Sequence, residues 1–66
     1  MEKVNINKAD GEQLQKIIHI GPIRATHIIY QTTVLETFKD IYELSTILGL
    51  GPKRMKDIIE QNIAEV

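Results

Sequence analysis

Two stretches, LQKIIHIGPIRATHII at residues 14–29 and LSTILGLGPKRMKDII at residues 44–59, decide how this chain folds. An offset of 30 residues superposes their apolar positions, their Gly-Pro pairs and an arginine. The superposed positions are Leu14 on Leu44, Ile17 on Ile47, Ile20 on Leu50, Gly21-Pro22 on Gly51-Pro52, Arg24 on Arg54, and Ile28-Ile29 on Ile58-Ile59. Two Gly-Pro pairs inside matching apolar frames are improbable by chance, so the chain contains one repeated unit.

Each unit is predicted to form a helix, a tight turn and a second helix. Pro22 and Pro52 suit the first turn of a new helix, where the missing N–H costs nothing and the fixed φ favours helical geometry. The glycine before each proline is pushed away from helical angles. Gly21 and Gly51 either adopt positive φ or let another backbone come close. The predicted helices cover residues 8–17, 22–33, 41–48 and 52–63.

The helix starts carry signals of their own. Asn7 is a favourable N-cap, and Asp10 three residues later favours the positive end of the helix. Asp40 followed by Glu43 resembles a capping box in which Asp replaces Ser or Thr. Between the two units lies a connector, from which Phe38 is expected to turn inward.

Both hairpins are needed for one core, because neither has enough apolar surface alone. The residues expected in it are Leu14, Ile17, Ile18, Ile20, Ile28, Ile29, Ile47, Leu48, Ile58, Ile59 and Ile63. Val4 and Ile6 alternate with polar neighbours, and we expect them to lie over this core as an extended arm. The predicted fold class is all-α, a SAM-like small bundle with pseudo-two-fold symmetry. Its single domain covers residues 1–66, with hairpin one at about 8–33, the connector at 34–40 and hairpin two at about 41–63.

Composition excludes several kinds of site. The 66 residues include no cysteine, which rules out disulfides and a cysteine-based zinc site. No nucleophile–base pair, carboxylate dyad or metal cluster is apparent, so we expect neither an enzyme nor a bound cofactor or metal. No apolar run reaches the length of roughly 18–20 residues needed to span a membrane. The net charge of −1 gives no general attraction to nucleic acid, so the placement of the charges decides.

The turns His19-Ile20-Gly21 and Gly49-Leu50-Gly51 each lead into a helix N-terminus. Such a terminus presents free backbone N–H groups and a partial positive charge, which together hold an anion such as phosphate. The middle apolar residue is expected to anchor each turn in the core. Cations cluster after the second turn, where the helix dipole favours acids, and this misplacement favours an anion site. These cations are Lys53, Arg54 and Lys56. The alternative is a solvated face whose charges are incidental.

The first turn has fewer cations, with Arg24 close by and Lys16 further away. His19 stands where the second unit has Gly49. It either donates a hydrogen bond to phosphate or, as we favour, caps or covers the turn. His27 is expected to be a half-buried surface histidine and not a metal ligand.

These residues resemble a known family. The repeat and its turns, preceded by Val4-Asn5-Ile6-Asn7-Lys8-Ala9, look like the tandem helix-hairpin-helix domain of the bacterial competence DNA receptor, ComEA-type. Similar domains form C-terminal appendages of competence-related metallo-β-lactamase-fold hydrolases, which Ile17-Ile18-His19-Ile20-Gly21 and Asp57-Ile58-Ile59-Glu60-Gln61 resemble. The resemblance covers residues 4–64.

The resemblance implies a DNA-binding role without base readout. Backbone amides of both turns and nearby Lys or Arg would hold phosphates of double-stranded DNA across the minor groove. The matching positions are Ile20, Gly21, Arg24, Gly49, Leu50, Gly51, Lys53 and Arg54, to which we add His19 and Lys56. A receptor parent implies a role in DNA uptake at the outer face of the membrane. An appendage implies a location in the cytoplasm or outside the cell, together with its parent protein.

Two departures from the family pattern open an alternative. His19 replaces a common glycine, and the connector, which is commonly basic in relatives, here lacks a basic residue from Gln31 to Thr37. The connector instead offers Val34 and Leu35, which are exposed unless they pack. Since the fold also occurs in an extrinsic photosystem subunit that docks on proteins, the alternative function is protein–protein docking with little DNA affinity.

Overall fold

The structure is a computed structural model that describes residues 3–66; Met1 and Glu2 of the predicted domain lie outside the described residues. Its elements are β1 (Val4–Asn5), α1 (Gly11–Leu14), α2 (Pro22–Tyr30), a π-helical segment (Gln31–Leu35), α3 (Glu43–Ile47), α4 (Pro52–Gln61) and β2 (Ala64–Glu65). The two predicted hairpins are therefore α1 with α2 and α3 with α4. Within residues 3–66, no helix is both long and apolar enough to cross a membrane.

The first helix starts later than the sequence predicts. Asp10, not Asn7, is the N-cap of α1, and it forms a capping box with Gln13. The Asp10 carboxylate accepts from the Gln13 N–H at 2.8 Å, and the Gln13 side chain accepts from the Asp10 N–H at 3.1 Å. The prediction of Asn7 was wrong because the Asn5 carbonyl accepts from the N–H groups of Lys8 and Ala9, which closes a turn before the helix. The helix also ends at Leu14, before the predicted residue 17, so α1 is only one turn long.

Asn7 has a different task, which is to hold the connector. Its side-chain amide donates to the Phe38 carbonyl at 3.0 Å, and its side-chain oxygen accepts from the Phe38 N–H at 2.7 Å. The Phe38 side chain is buried, as predicted. The paired bonds satisfy both backbone groups of a residue that has no helix or strand partner.

The second helix continues into a π-helical segment instead of ending near residue 33. The hydroxyls of Thr32 and Thr33 both donate to the Ile29 carbonyl, at 3.1 and 2.7 Å. A threonine hydroxyl that takes this carbonyl competes with the helical N–H group, and such competition distorts a helix. The chain leaves the segment with the Glu36 N–H donating to the Gln31 carbonyl, a bond five residues long.

The start of the second hairpin only partly matches the predicted capping box. Asp40 does accept from the Glu43 N–H, at 3.2 Å. The Glu43 carboxylate, however, accepts from the N–H of Lys39 instead of that of Asp40. The helix α4 ends at Asn62, whose φ of 57° is left-handed and redirects the chain into β2.

The all-α prediction missed a small parallel sheet. Val4 pairs with Ala64 and Asn5 pairs with Glu65, which brings the two ends of the described chain together. The predicted apolar arm is confirmed, since Val4 and Ile6 are buried. Two-residue strands are too short for an alternating pattern to reveal a partner 60 residues away, so this pairing could not be predicted from the sequence.

One core lies between the hairpins. Its buried members are Val4, Ile6, Leu14, Ile17, Ile20, Ala25, Ile28, Phe38, Leu44, Leu50, Met55, Ile58, Ile63 and Ala64. Ile29, Ile47 and Leu48 pack on it while partly exposed, as three of the predicted core residues. The prediction was wrong for Ile18 and Ile59, which are 41% and 40% exposed.

Candidate nucleic-acid interface

The four helices begin in two different ways. The Asp10 carboxylate caps α1, and α3 has Glu43 in its first turn. By contrast, α2 and α4 begin Gly-Pro, and within residues 3–66 neither has a side-chain cap or an acidic residue in its first turn. The leading N–H groups of α2 and α4 therefore face outward unsatisfied, with the positive end of the helix dipole behind them. An anion is the natural partner for such an end.

The N-cap glycines leave these helix starts bare. Gly21 has φ of −95° and Gly51 has φ of −72°, which any residue can adopt. A Cβ built at either position would meet no atom of the described chain within 4 Å. Of the two roles predicted for these glycines, positive φ is therefore wrong. The remaining effect of the missing side chain is open space beside the backbone, through which another molecule can approach.

The second turn presents its cations to solvent. Leu50 is buried and anchors the turn, while Gly49 adopts a left-handed φ of 67°. Lys53 and Arg54 follow the turn and are exposed. Lys56 is exposed too, and its ammonium lies 3.8 Å from the Glu60 carboxylate, one turn further along α4.

The first turn reaches the same shape without glycine. His19, at the position of Gly49, has φ of 69°. Its ring nitrogen Nε2 lies 2.8 Å from the Asp57 carboxylate on α4, so the imidazole bonds to the other hairpin. The Arg24 guanidinium donates to the His19 carbonyl at 3.2 Å. The interpretation of His19 as a residue that covers the turn matches this geometry better than a free phosphate donor.

Two of the predicted backbone contacts differ between the turns. Ile20 is buried as expected, but its N–H donates to the Ile17 carbonyl at 3.1 Å. That amide is therefore occupied, contrary to its predicted role as a phosphate donor. In residues 3–66, no group accepts a hydrogen bond from the Leu50 N–H, so the equivalent amide of the second turn is available.

The two turns lie side by side, because each helix start shares a surface cavity with the other hairpin. A cavity of about 470 Å³ is lined by His19, Gly51, Pro52, Lys53, Arg54 and Asp57. A second cavity, of about 550 Å³, is lined by Gly21, Pro22, Ile23, Arg24, His27 and Leu48. Six of the ten predicted site residues line these two cavities, while Lys56 lines a separate cavity with Tyr42 and Ile59.

A comparison with known families identifies the motif that the two repeats form. The sequence model of the helix-hairpin-helix motif matches residues 1–61. This chain belongs to the helix-hairpin-helix family. The motif is generally associated with non-specific DNA binding. No curated protein and no solved structure gives a significant match.

Two residues of this helix-hairpin-helix domain position the first turn and were not singled out from the sequence. Besides Asp57, Gln61 reaches across from α4 with both ends of its amide. Its oxygen accepts from the Ile18 N–H at 2.8 Å, and its nitrogen donates to the Lys16 carbonyl at 3.1 Å. Asp57 and Gln61 are four residues apart on one helix face, which is the only sequence signal that they act together.

Among residues 3–66, no side chains hold the second turn of this helix-hairpin-helix domain in the same way. The repeat places His27 and Gln31 where the other half has Asp57 and Gln61. Gln31 instead donates to the Glu36 carbonyl at 3.5 Å. Within residues 3–66, no three side chains of His, Cys, Asp or Glu are grouped to hold a metal ion.

Proposed function

We propose that this chain binds double-stranded DNA without reading its sequence, by holding backbone phosphates at the open starts of α2 and α4. The domain would bind DNA and catalyse no reaction. In this proposal the domain serves DNA uptake, as in a competence DNA receptor, or is the DNA-holding appendage of a larger protein. The resemblance of its turns and of residues 4–9 to those domains supports this finer assignment.

The observation that carries the proposal is the contrast between capped and open helix starts. The chain provides carboxylates for α1 and α3, yet it leaves α2 and α4 with bare glycines and cations instead of acids. Lys53 and Arg54 lie where the helix dipole repels them, at a cost of a few tenths of a kcal/mol each, roughly. A bound phosphate would reverse the sign of that interaction.

The strength of binding follows from the number of phosphates. Two turns that contact one or two phosphates each would release about two to four counterions, so log affinity should fall with log salt at a slope of about −2 to −4. The dissociation constant should lie on the order of 10⁻⁴ to 10⁻⁶ M, as for other non-specific binders.

The test is a fluorescence-anisotropy titration of a short random duplex at low and at physiological salt. Arg54→Glu should abolish binding, because it places a carboxylate beside the second helix start. Lys39→Glu, which makes the same change in charge on the exposed connector, is the matched control and should bind like the wild type. Equal affinities of the two variants would contradict phosphate binding at the turn.

A second candidate function, protein docking, is favoured by one observation. Val34 and Leu35 in the π-helical segment are 59% and 63% exposed, and Tyr30, directly before that segment, is 53% exposed. Exposed apolar side chains that lie close in sequence are a feature of protein-docking surfaces. The double variant Val34→Ser/Leu35→Ser should lose a salt-insensitive protein partner from a host extract if these side chains form a docking surface. Retention of the same partner would count against docking.

A further inference from the structure

Ile23 is the most exposed large apolar side chain in residues 3–66, at 87%. It lies two residues after Gly21, at the open start of α2, and lines the cavity beside the first turn. Because so little of it is buried, it contributes almost nothing to the core. An apolar side chain at this point is therefore free to contact another molecule without loss to the core.

The repeat shows what changes at this position. Ile23 is the counterpart of Lys53, and Thr26 is the counterpart of Lys56, while Arg24 and Arg54 are the same. Two of three cations of the second helix start are thus replaced in the first. The first start keeps the open amides that suit a phosphate, but it carries an apolar side chain where the second start carries a charge.

Nucleic-acid chemistry offers a partner for each type of side chain. Every backbone phosphate is flanked by sugars, whose carbon-bound hydrogens form an apolar face, whereas the phosphate oxygens attract cations. A side chain two residues from the bare glycine lies within reach of the sugar next to a phosphate held there. A sugar contact carries no sequence information, in keeping with non-specific binding.

We propose that Ile23 packs on a deoxyribose adjacent to the phosphate held by the first turn. This inference rests on the proposed function and deepens it. The two helix starts then bind DNA differently: the second by charge, and the first by open amides, Arg24 and one apolar contact. The part of the affinity due to Ile23 is independent of salt, because burial of apolar surface releases no counterions.

The experiment is the anisotropy titration of the random duplex with Ile23→Ala, at low and physiological salt. Affinity should fall by about threefold to tenfold at both salt concentrations with an unchanged salt slope, since removed methyl and methylene groups weaken an apolar contact. Leu35→Ala removes a similarly exposed apolar side chain from the connector and should bind like the wild type. Thermal unfolding should be unchanged in both variants, because both positions are exposed.

Ile23→Lys sharpens the same experiment by copying Lys53. It should steepen the salt slope by about 0.9, the value for one additional phosphate contact, and bind more weakly than the wild type at physiological salt. Wild-type affinity in Ile23→Ala, or an equal loss in Leu35→Ala, would overturn the sugar contact and leave phosphate binding intact. Absence of wild-type binding even at low salt would overturn both proposals.

Discussion

Residues 19 and 49 occupy the same place in the two repeats and share a left-handed backbone, with φ of 69° and 67°. The second turn reaches this shape with glycine, which has no Cβ to strain. The first uses histidine and holds it by contact with Asp57, while Gln61 holds the backbone of Lys16 and Ile18 just before it. The second turn is therefore shaped by its own residue, and the first is shaped by the other hairpin.

The two turns also differ in how firmly they are held and in how many cations they expose. The first turn has three side-chain bonds from α4, and its Ile20 amide is used within the chain. The second turn has none of these bonds in the described chain, and its cations are exposed. Rigid positioning lowers the entropy cost of binding, whereas free cations add salt-dependent attraction. The two halves of one fold thus supply different parts of the same interface.

The largest expected effect comes from a carboxylate at the second turn. Gly51→Asp places an acceptor at the N-cap of α4, where it would take the N–H of Lys53 or Arg54 and repel phosphate. DNA binding should be lost, while the free energy of unfolding should stay the same or rise by a few tenths of a kcal/mol, roughly. Anisotropy and urea unfolding measure the two quantities.

Gly51→Asn is the matched control for that change, because it caps the helix without adding a charge, and it should retain weak binding. Gly21→Asp makes the same change at the first turn, where the added carboxylate also meets open space. Gly21→Asp should weaken DNA binding less than Gly51→Asp does, since the first turn has fewer cations and contributes less of the attraction to phosphate. Full DNA affinity in a folded Gly51→Asp protein would show that phosphates do not bind at this turn.

A smaller effect is expected when the left-handed residues are exchanged. Gly49→Ala should lower the free energy of unfolding by about 1–2 kcal/mol, because an L residue is strained at this φ and no neighbour crowds the new Cβ. His19→Gly relieves similar strain but loses the bond to Asp57. The His19 side chain is 29% exposed and the Asp57 side chain is 38% exposed. Such a partly solvated pair contributes up to about 1 kcal/mol, so the net change should be small.

Thermal or urea unfolding of the two variants decides how the first turn is held. If His19→Gly were destabilised more than Gly49→Ala, the contact with Asp57 would outweigh the backbone strain. The first turn would then depend on α4 more strongly than we infer.

The smallest expected effect concerns the two hydrogen bonds from the uncharged side chain of Gln61 to the backbone before the first turn. Gln61→Ala removes two exposed hydrogen bonds and should cost about 1 kcal/mol of stability, with faster amide exchange at Ile18. Gln31→Ala is the control from the other repeat, and its one long bond predicts almost no change. Equal stability of the two variants would mean that the first turn needs no support from Gln61.

Much of this arrangement could be predicted from local signals. Gly-Pro pairs mark helix starts by their own stereochemistry, so the beginnings of α2 and α4 were located at Pro22 and Pro52, as observed. The spacing of the apolar residues in the repeat identified most of the core, because that spacing is also a local signal. Ile18 was misplaced because it lies in the turn after α1 and not on a helix face, and Ile59 because only its neighbour Ile58 on α4 points into the core.

The residues that were missed act over long distances along the chain. Asn7 was predicted to cap a helix, but its partner is Phe38. Gln61, for which the sequence predicted no structural role, holds the backbone of Lys16 and Ile18. A polar side chain of this kind has several possible local partners. Only the position of a distant backbone segment decides which bond forms.

The sequence by itself determined the repeat, the open helix starts and the cations of the second turn. The stereochemistry of proline, the missing side chain of glycine and the charge of a side chain all act on the local backbone, whatever the tertiary structure. The tertiary structure decided the parallel pairing of Val4 with Ala64 and the hold of α4 on the first turn. It also decided that, at the two turns, His19 and Gly49 adopt positive φ and the glycines before the prolines do not. These features depend on groups brought together by packing, and no local preference of the chain specifies them.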